Sequence, residues 1–282
     1  MIQALFEYRF LQNALYAGIL ASVVCGIIGV IIVEKKLVMM SGGIAHTSYG
    51  GVGLGYLLGF EPIIGAFLFS VCAALGIGYI KKRGASDSDV VIGLFWSLGM
   101  ALGILFIALM PGYPPDLSSY LFGNILSVTR SDLYIMLCLT AVVALVVILF
   151  YQDWKAYLFD DQFAAIMGVR TGFLGYLLLI LVAMTVVVLI RVVGIILVLA
   201  LLTAPAATAA LFSADLKNRM ICAVGLGNLC CAAGLWASYE LNVASGAVIV
   251  ILSVICYFIA YGARAVRFGR KRKHAASSAA CQ

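Results

Sequence analysis

What this 282-residue chain has least of is charge: Asp, Glu, Lys and Arg make up 11% of it, against 65% hydrophobic residues. No water-soluble fold hides that much apolar surface. Catalytic and nucleotide-binding signatures are missing as well. The chain has no GxxxxGK[ST] loop, no HExxH and no GxSxG, so any ATP must be bound by another chain. Paired CxxC spacings are lacking, which sets aside zinc-ribbon and thioredoxin-like chemistry. The eight cysteines are scattered, mostly in apolar runs, and read as small buried hydrophobes. Cys230 and Cys231, being adjacent, face different sides of a helix and do not share a metal. The first residues lack the basic stretch and small-residue cleavage site of a removable signal peptide, so the first long apolar run is expected to stay as a span.

What is present is a succession of long apolar runs. A spanning helix takes about 20 apolar residues. Runs near 11–33, 37–59, 62–80, 90–110, 133–151, 173–190, 192–212, 221–239 and 246–263 are close to that length. The expectation is an all-α polytopic membrane bundle of nine spans. It becomes eight if residues 173–212, interrupted only by Arg191 and Gly194, form one broken or re-entrant element. Basic residues fall at Lys35 and Lys36, Lys81 to Arg83, Lys155 and Arg170, Lys217 and Arg219, and from Arg264 onward, each cluster two spans from the next. The positive-inside rule then puts the N-terminus outside and the C-terminus in the cytoplasm. The chain divides into a membrane domain, 1–263, and a basic cytoplasmic tail, 264–282, whose composition would also serve a nucleic-acid arm but which, directly after a span, is expected to anchor at anionic lipid with no nucleic acid as partner. Gly51, Gly55 and Gly59 recur at four-residue spacing, as do Gly99 and Gly103, giving small faces on which helices pack closely in lipid.

Ionisable side chains inside the runs are few. Arg191 and Glu240 fall near predicted outer turns, which leaves His46, inside the second span, as the exception. An ion-coupled secondary carrier, the rival reading, keeps carboxylates at mid-membrane and is often built of related halves. An intramembrane enzyme needs a constellation of acid, base or nucleophile. Neither pattern is visible, so the energy source lies outside the chain. The longest polar segment between spans, QDWKAYLFDDQFAAIMGVRTG at 152–172, sets Phe159, Phe163, Ile166 and Met167 at near-helical spacing. Asp160 and Asp161 stand where a helix would start and Gly168 where it would stop. Such an amphipathic piece either lies on the membrane or docks a soluble partner.

An ordered series of segments resembles the permeases of ATP-binding-cassette importers for zinc, manganese and iron, over roughly residues 10–262. These are LVMMSGGIAHTSYGGVGLGYLLG, SDSDVVIGLFWSLGMALGILFIAL, DLSSYLFGNILSVTRSDL, LFDDQFAAIMGV, RVVGIILVLALLTAPAATA and ASGAVIVIL. The resemblance implies a homodimer in a prokaryotic inner membrane, with two cytoplasmic ABC ATPase subunits and an extracytoplasmic metal-binding protein. It implies no cofactor on this chain, ATP on the partner, and a divalent metal as cargo, zinc first and manganese or iron next. Phe159, Asp160, Asp161, Phe163, Ala164 and Gly168 would form the ATPase-coupling segment, and His46 a transient metal contact. One departure stands out: many members carry an Asp four residues before the histidine, on the same helix face, where this chain has Gly42.

Overall fold

A computed structural model describes residues 7–83, 88–111, 123, 125–241 and 243–279, and the described elements are all helical. In chain order they are α1 (Arg9–Glu34), α2 (Val38–Leu58), α3 (Pro62–Arg83), α4 (Ser88–Ala108), a 3-10 turn (Ile125–Ser127), α5 (Arg130–Leu149), α6 (Tyr151–Phe159), α7 (Asp161–Ile166), α8 (Thr171–Val193), α9 (Ile195–Phe212), α10 (Leu216–Leu241) and α11 (Ser245–Ala279).

Eight of the described helices, all but α2 and the short α6 and α7, are long and apolar enough to cross a membrane. Glycine, serine, threonine and histidine dilute the hydropathy of α2, yet at 21 residues it has a similar length. Its two ends lie on opposite faces of the bundle. Lys35, just before it, pairs with Asp161, and Glu61, just after it, pairs with Arg191. The same contacts sort the other helix ends. Glu34 pairs with Arg219, so the α1 C-terminus and α10 N-terminus share the face of Lys35. Asn13 donates to the Val128 carbonyl at 3.0 Å, which sets the α1 N-terminus on the face of Asp132 and Arg191. The basic clusters at Lys35, Lys81, Lys155 and Arg219 therefore meet on one face, as their two-span spacing predicts.

Two lobes make up the bundle. In one, α2 packs between α3 and α4; in the other, α1 and α9 pack with α5, α10 and α11. Helix α8 stands between them, against α3 and α2 on one side and α1, α5 and α9 on the other. The stretch 173–212 is two full crossings: Gly194, at φ +84°, ends α8 and starts α9, and α9 returns to the face of Arg219 despite Pro205 inside it. Apolar side chains left outside the bundle, such as Leu94 and Leu98 on α4, Ile148 on α5 and Phe258 on α11, are the surface that lipid covers in a chain of this composition.

Several expectations need correcting. Gly59 does not pack against a neighbour: nothing would approach a Cβ there, and with φ +73° it ends α2. Cys72 and Cys138 are exposed on the bundle surface rather than buried. Residues 151–159, read as the end of a span and a polar loop, form a separate helix. The Leu121-Phe122 pair of the outer-loop pattern lies outside the described residues.

Candidate functional site

His46 sits on α2, where small residues draw three helices together. Toward α4, a Cβ on Gly99 would run into the Thr47 backbone, and the Thr47 hydroxyl donates to the carbonyls of Gly43 at 2.7 Å and Phe95 at 2.9 Å. Gly103 lies against Tyr49 in the same seam. Toward α3, Gly51 faces Gly65 backbone to backbone, and Gly55 lies against Pro62. In lipid, where apolar burial gives helices no reason to associate, such close backbone approach supplies the contact energy.

The imidazole of His46 stacks on the indole of Trp96 from α4, with centroids 4.0 Å apart and planes within 9°. Its Nδ1 is buried and has no hydrogen-bond partner. One turn earlier, at Gly42, a Cβ would stand 3.4 Å from the same indole ring. The position at which the family resemblance leads one to expect a carboxylate is therefore beside Trp96. Among the described residues no three His, Cys, Asp or Glu side chains converge as a metal cage. What the site offers a cation is one imidazole nitrogen, a donor suited to passage rather than storage.

The segment 151–170 forms a ledge on the basic face. Helix α6 is anchored by Trp154, which is fully buried. Asp160 then breaks the helix and caps α7, its Oδ1 accepting from the amides of Gln162 at 2.9 Å and Phe163 at 3.0 Å. Gly168, at φ +88°, closes α7: its amide reaches the Ala165 carbonyl, and the Val169 amide that of Ala164, a Schellman stop. Ala164 is buried beneath, while Phe159 (90% exposed), Ile166 (84%), Met167 and Phe163 face outward. Asp161 is tied to Lys35, 3.8 Å away, and the Lys35 ammonium lies 3.8 Å above the Tyr157 ring. Burial pushes Lys35 below its ordinary range, against the pull of Asp161, and burial likewise pushes the Tyr157 phenol up.

On the opposite face, a charge cluster that sequence reading did not assemble joins the two lobes. The Arg191 guanidinium lies 3.2 Å from Asp132 at the start of α5 and 3.3 Å from Glu61 at the start of α3. Asp132 is held by a capping box with Thr129. Nor does the periodicity of α4 show that the Trp96 ring meets His46.

Comparison with known proteins bears on this arrangement. The family model described as "ABC 3 transport family" matches residues 7–263. An uncharacterized membrane protein of Synechocystis, slr2045, is 42% identical over 94% of both chains. The manganese transport system membrane protein MntC of Listeria monocytogenes is 36% identical over 92% of both. Among solved structures, PsaBC from Streptococcus pneumoniae in complex with Fab matches with a TM-score of 0.83 at 35% identity, over 92% of this chain and 94% of that one.

Proposed function

The chain belongs to the ABC 3 transport family, and from that membership we propose how it moves its cargo. It is an integral membrane protein, the permease subunit of an ABC importer for a divalent metal, and not an ATPase. This displaces the ion-coupled carrier.

The cargo we propose is manganese, ahead of the zinc that the sequence reading placed first, with iron behind both. Relatives over nearly the whole chain carry manganese in their names. The donors around His46 agree, since a single imidazole, with no three His, Cys, Asp or Glu side chains converging among the described residues, is far from the closed set of nitrogen and sulfur that zinc favours. The observation that carries the reading is the buried Nδ1 of His46 without a partner. The outward side chains of Phe159, Phe163, Ile166 and Met167 receive the ATPase, so the basic face is cytoplasmic, the N-terminus outside and the C-terminus inside. A second permease copy, two ATPase subunits holding the ATP and an extracytoplasmic metal-binding protein complete the importer. The test is uptake of radiolabelled manganese by the permease, its ATPase and its metal-binding protein in liposomes, in competition with zinc and iron. Manganese should displace the label at lower concentration than either; displacement by zinc first would overturn the assignment of the metal.

A further inference from the structure

On the basic face a cavity of about 320 Å³ opens between α2, α3, α8 and the α6–α7 ledge. Its inner wall is apolar, with Leu37, Met40 and Leu179. Its mouth carries Lys81, Lys82, Tyr157 and Asp161. The floor is bare backbone. A Cβ on Gly172 would stand 3.7 Å from Lys82 Nζ, and one on Gly175 would stand 3.5 Å from the Tyr157 hydroxyl, so both polar groups lie over glycines. Asp161, the one carboxylate among the described lining residues, is already engaged by Lys35. Lys81 stands close enough to Lys35 to disfavour its charge. Lys81 and Lys82 thus leave the lining with more positive than negative charge, since Asp161 is shared with Lys35, and such an excess favours an anion.

We propose that this cavity binds a phosphate-class anion through Lys81, Lys82 and the Tyr157 hydroxyl. The apolar inner wall receives the glycerol and acyl portion when the phosphate belongs to a lipid. The site is separate from His46 and from the outward face of the ledge, and does not depend on which metal is carried. Because Tyr157 and Asp161 belong to the ledge, an occupied cavity ties that element to the membrane plane.

The experiment uses the purified full chain and three probes: phosphatidylglycerol, phosphatidylcholine and inorganic phosphate, with retained lipid counted by native mass spectrometry. The wild type should retain phosphatidylglycerol over phosphatidylcholine. The double variant Lys81→Gln/Lys82→Gln should weaken that retention by about fivefold per lysine, on the order of twentyfold in all. Gly175→Leu, which fills the cavity and leaves every charge in place, should weaken it as well. If Gly175→Leu does not fold, the lysine variant decides alone. Inorganic phosphate that displaces the lipid, or binds the wild type and not the double variant, identifies a soluble phosphate as an occupant. Lysine-dependent lipid retention that phosphate leaves unchanged identifies the headgroup in its lipid. Equal retention of both lipids, or retention and phosphate binding unchanged in the double variant, would sink the proposal.

Discussion

A histidine nitrogen buried without a partner is uncommon, because an unmade hydrogen bond at a buried polar atom costs about 1–3 kcal/mol. His46 carries that cost in its stacked position on Trp96. A cation that arrives, binds and leaves would relieve it only transiently. His46→Ala should therefore fold and assemble normally and still transport less. Loss of even an outer-shell group weakens metal sites about 10–100-fold, so manganese uptake is expected to drop on the order of tenfold or more. Uptake at the wild-type rate in a correctly assembled variant would make the imidazole a packing group. His46 is legible in the sequence because an imidazole in an apolar run is conspicuous. Trp96 is not, because the stack depends on which faces of α2 and α4 meet, and two runs dense in small residues do not encode that. Gly59 shows the opposite failure: its spacing matches Gly51 and Gly55, but the helix ends there.

The ledge on the basic face is a pair of short helices, and the start and stop of the second, α7, are written in three residues, Asp160, Asp161 and Gly168. That much periodicity and capping rules make legible. Helix α6 escapes them because it is a single amphipathic stretch of nine residues holding Asp153 and Lys155, and what fixes it is tertiary, the full burial of Trp154. An aromatic anchor in a partner's groove contributes about 2 kcal/mol or more, and a carboxylate in its place adds a desolvation penalty. Phe159→Asp or Phe163→Asp should thus lower ATPase co-purification on the order of thirtyfold. Phe159, at 90% exposure, has little packing of its own to lose, so its variant should melt like the wild type. Normal ATPase capture with altered lipid association of the segment would instead show a helix that merely lies on the membrane. Gly168→Val separates conformation from contact. Nothing lies within reach of a Cβ there, so the whole effect is the strain of a β-branched residue at φ +88°, of order 1–2 kcal/mol. It should weaken ATPase binding by about tenfold while leaving the bundle intact, and circular dichroism alongside the capture assay checks both halves.

At the scale of the molecule, apolar runs and basic clusters predict the crossings and which helix ends share a face, but not the division into two lobes about α8. That division gives Arg191 its place. It lies in the last turn of α8, three residues before the Gly194 turn, and binds Glu61 of one lobe and Asp132 of the other on the face opposite the lysines. The two contacts are unequal. Glu61 is 58% exposed and Arg191 44%, so that pair is screened and contributes about 0.2–1 kcal/mol. Asp132 is 9% exposed, and losing its cation leaves a nearly buried carboxylate without one. If import alternates between a closed and an open outer face, the lobes must part where Arg191 now joins them. Arg191→Gln should then favour opening by about 1–2 kcal/mol, a five- to thirtyfold shift. The expected result is ATP hydrolysis without metal or binding protein that rises several-fold in liposomes, with less manganese carried per ATP. Glu61→Gln should do little, and Asp132→Asn, which removes the orphan carboxylate, should rescue the folding but not the coupling of Arg191→Gln. A variant that melts earlier yet keeps wild-type basal hydrolysis would reduce the cluster to a structural brace. One with raised hydrolysis, whose melting but not whose coupling Asp132→Asn restores, would make it a gate.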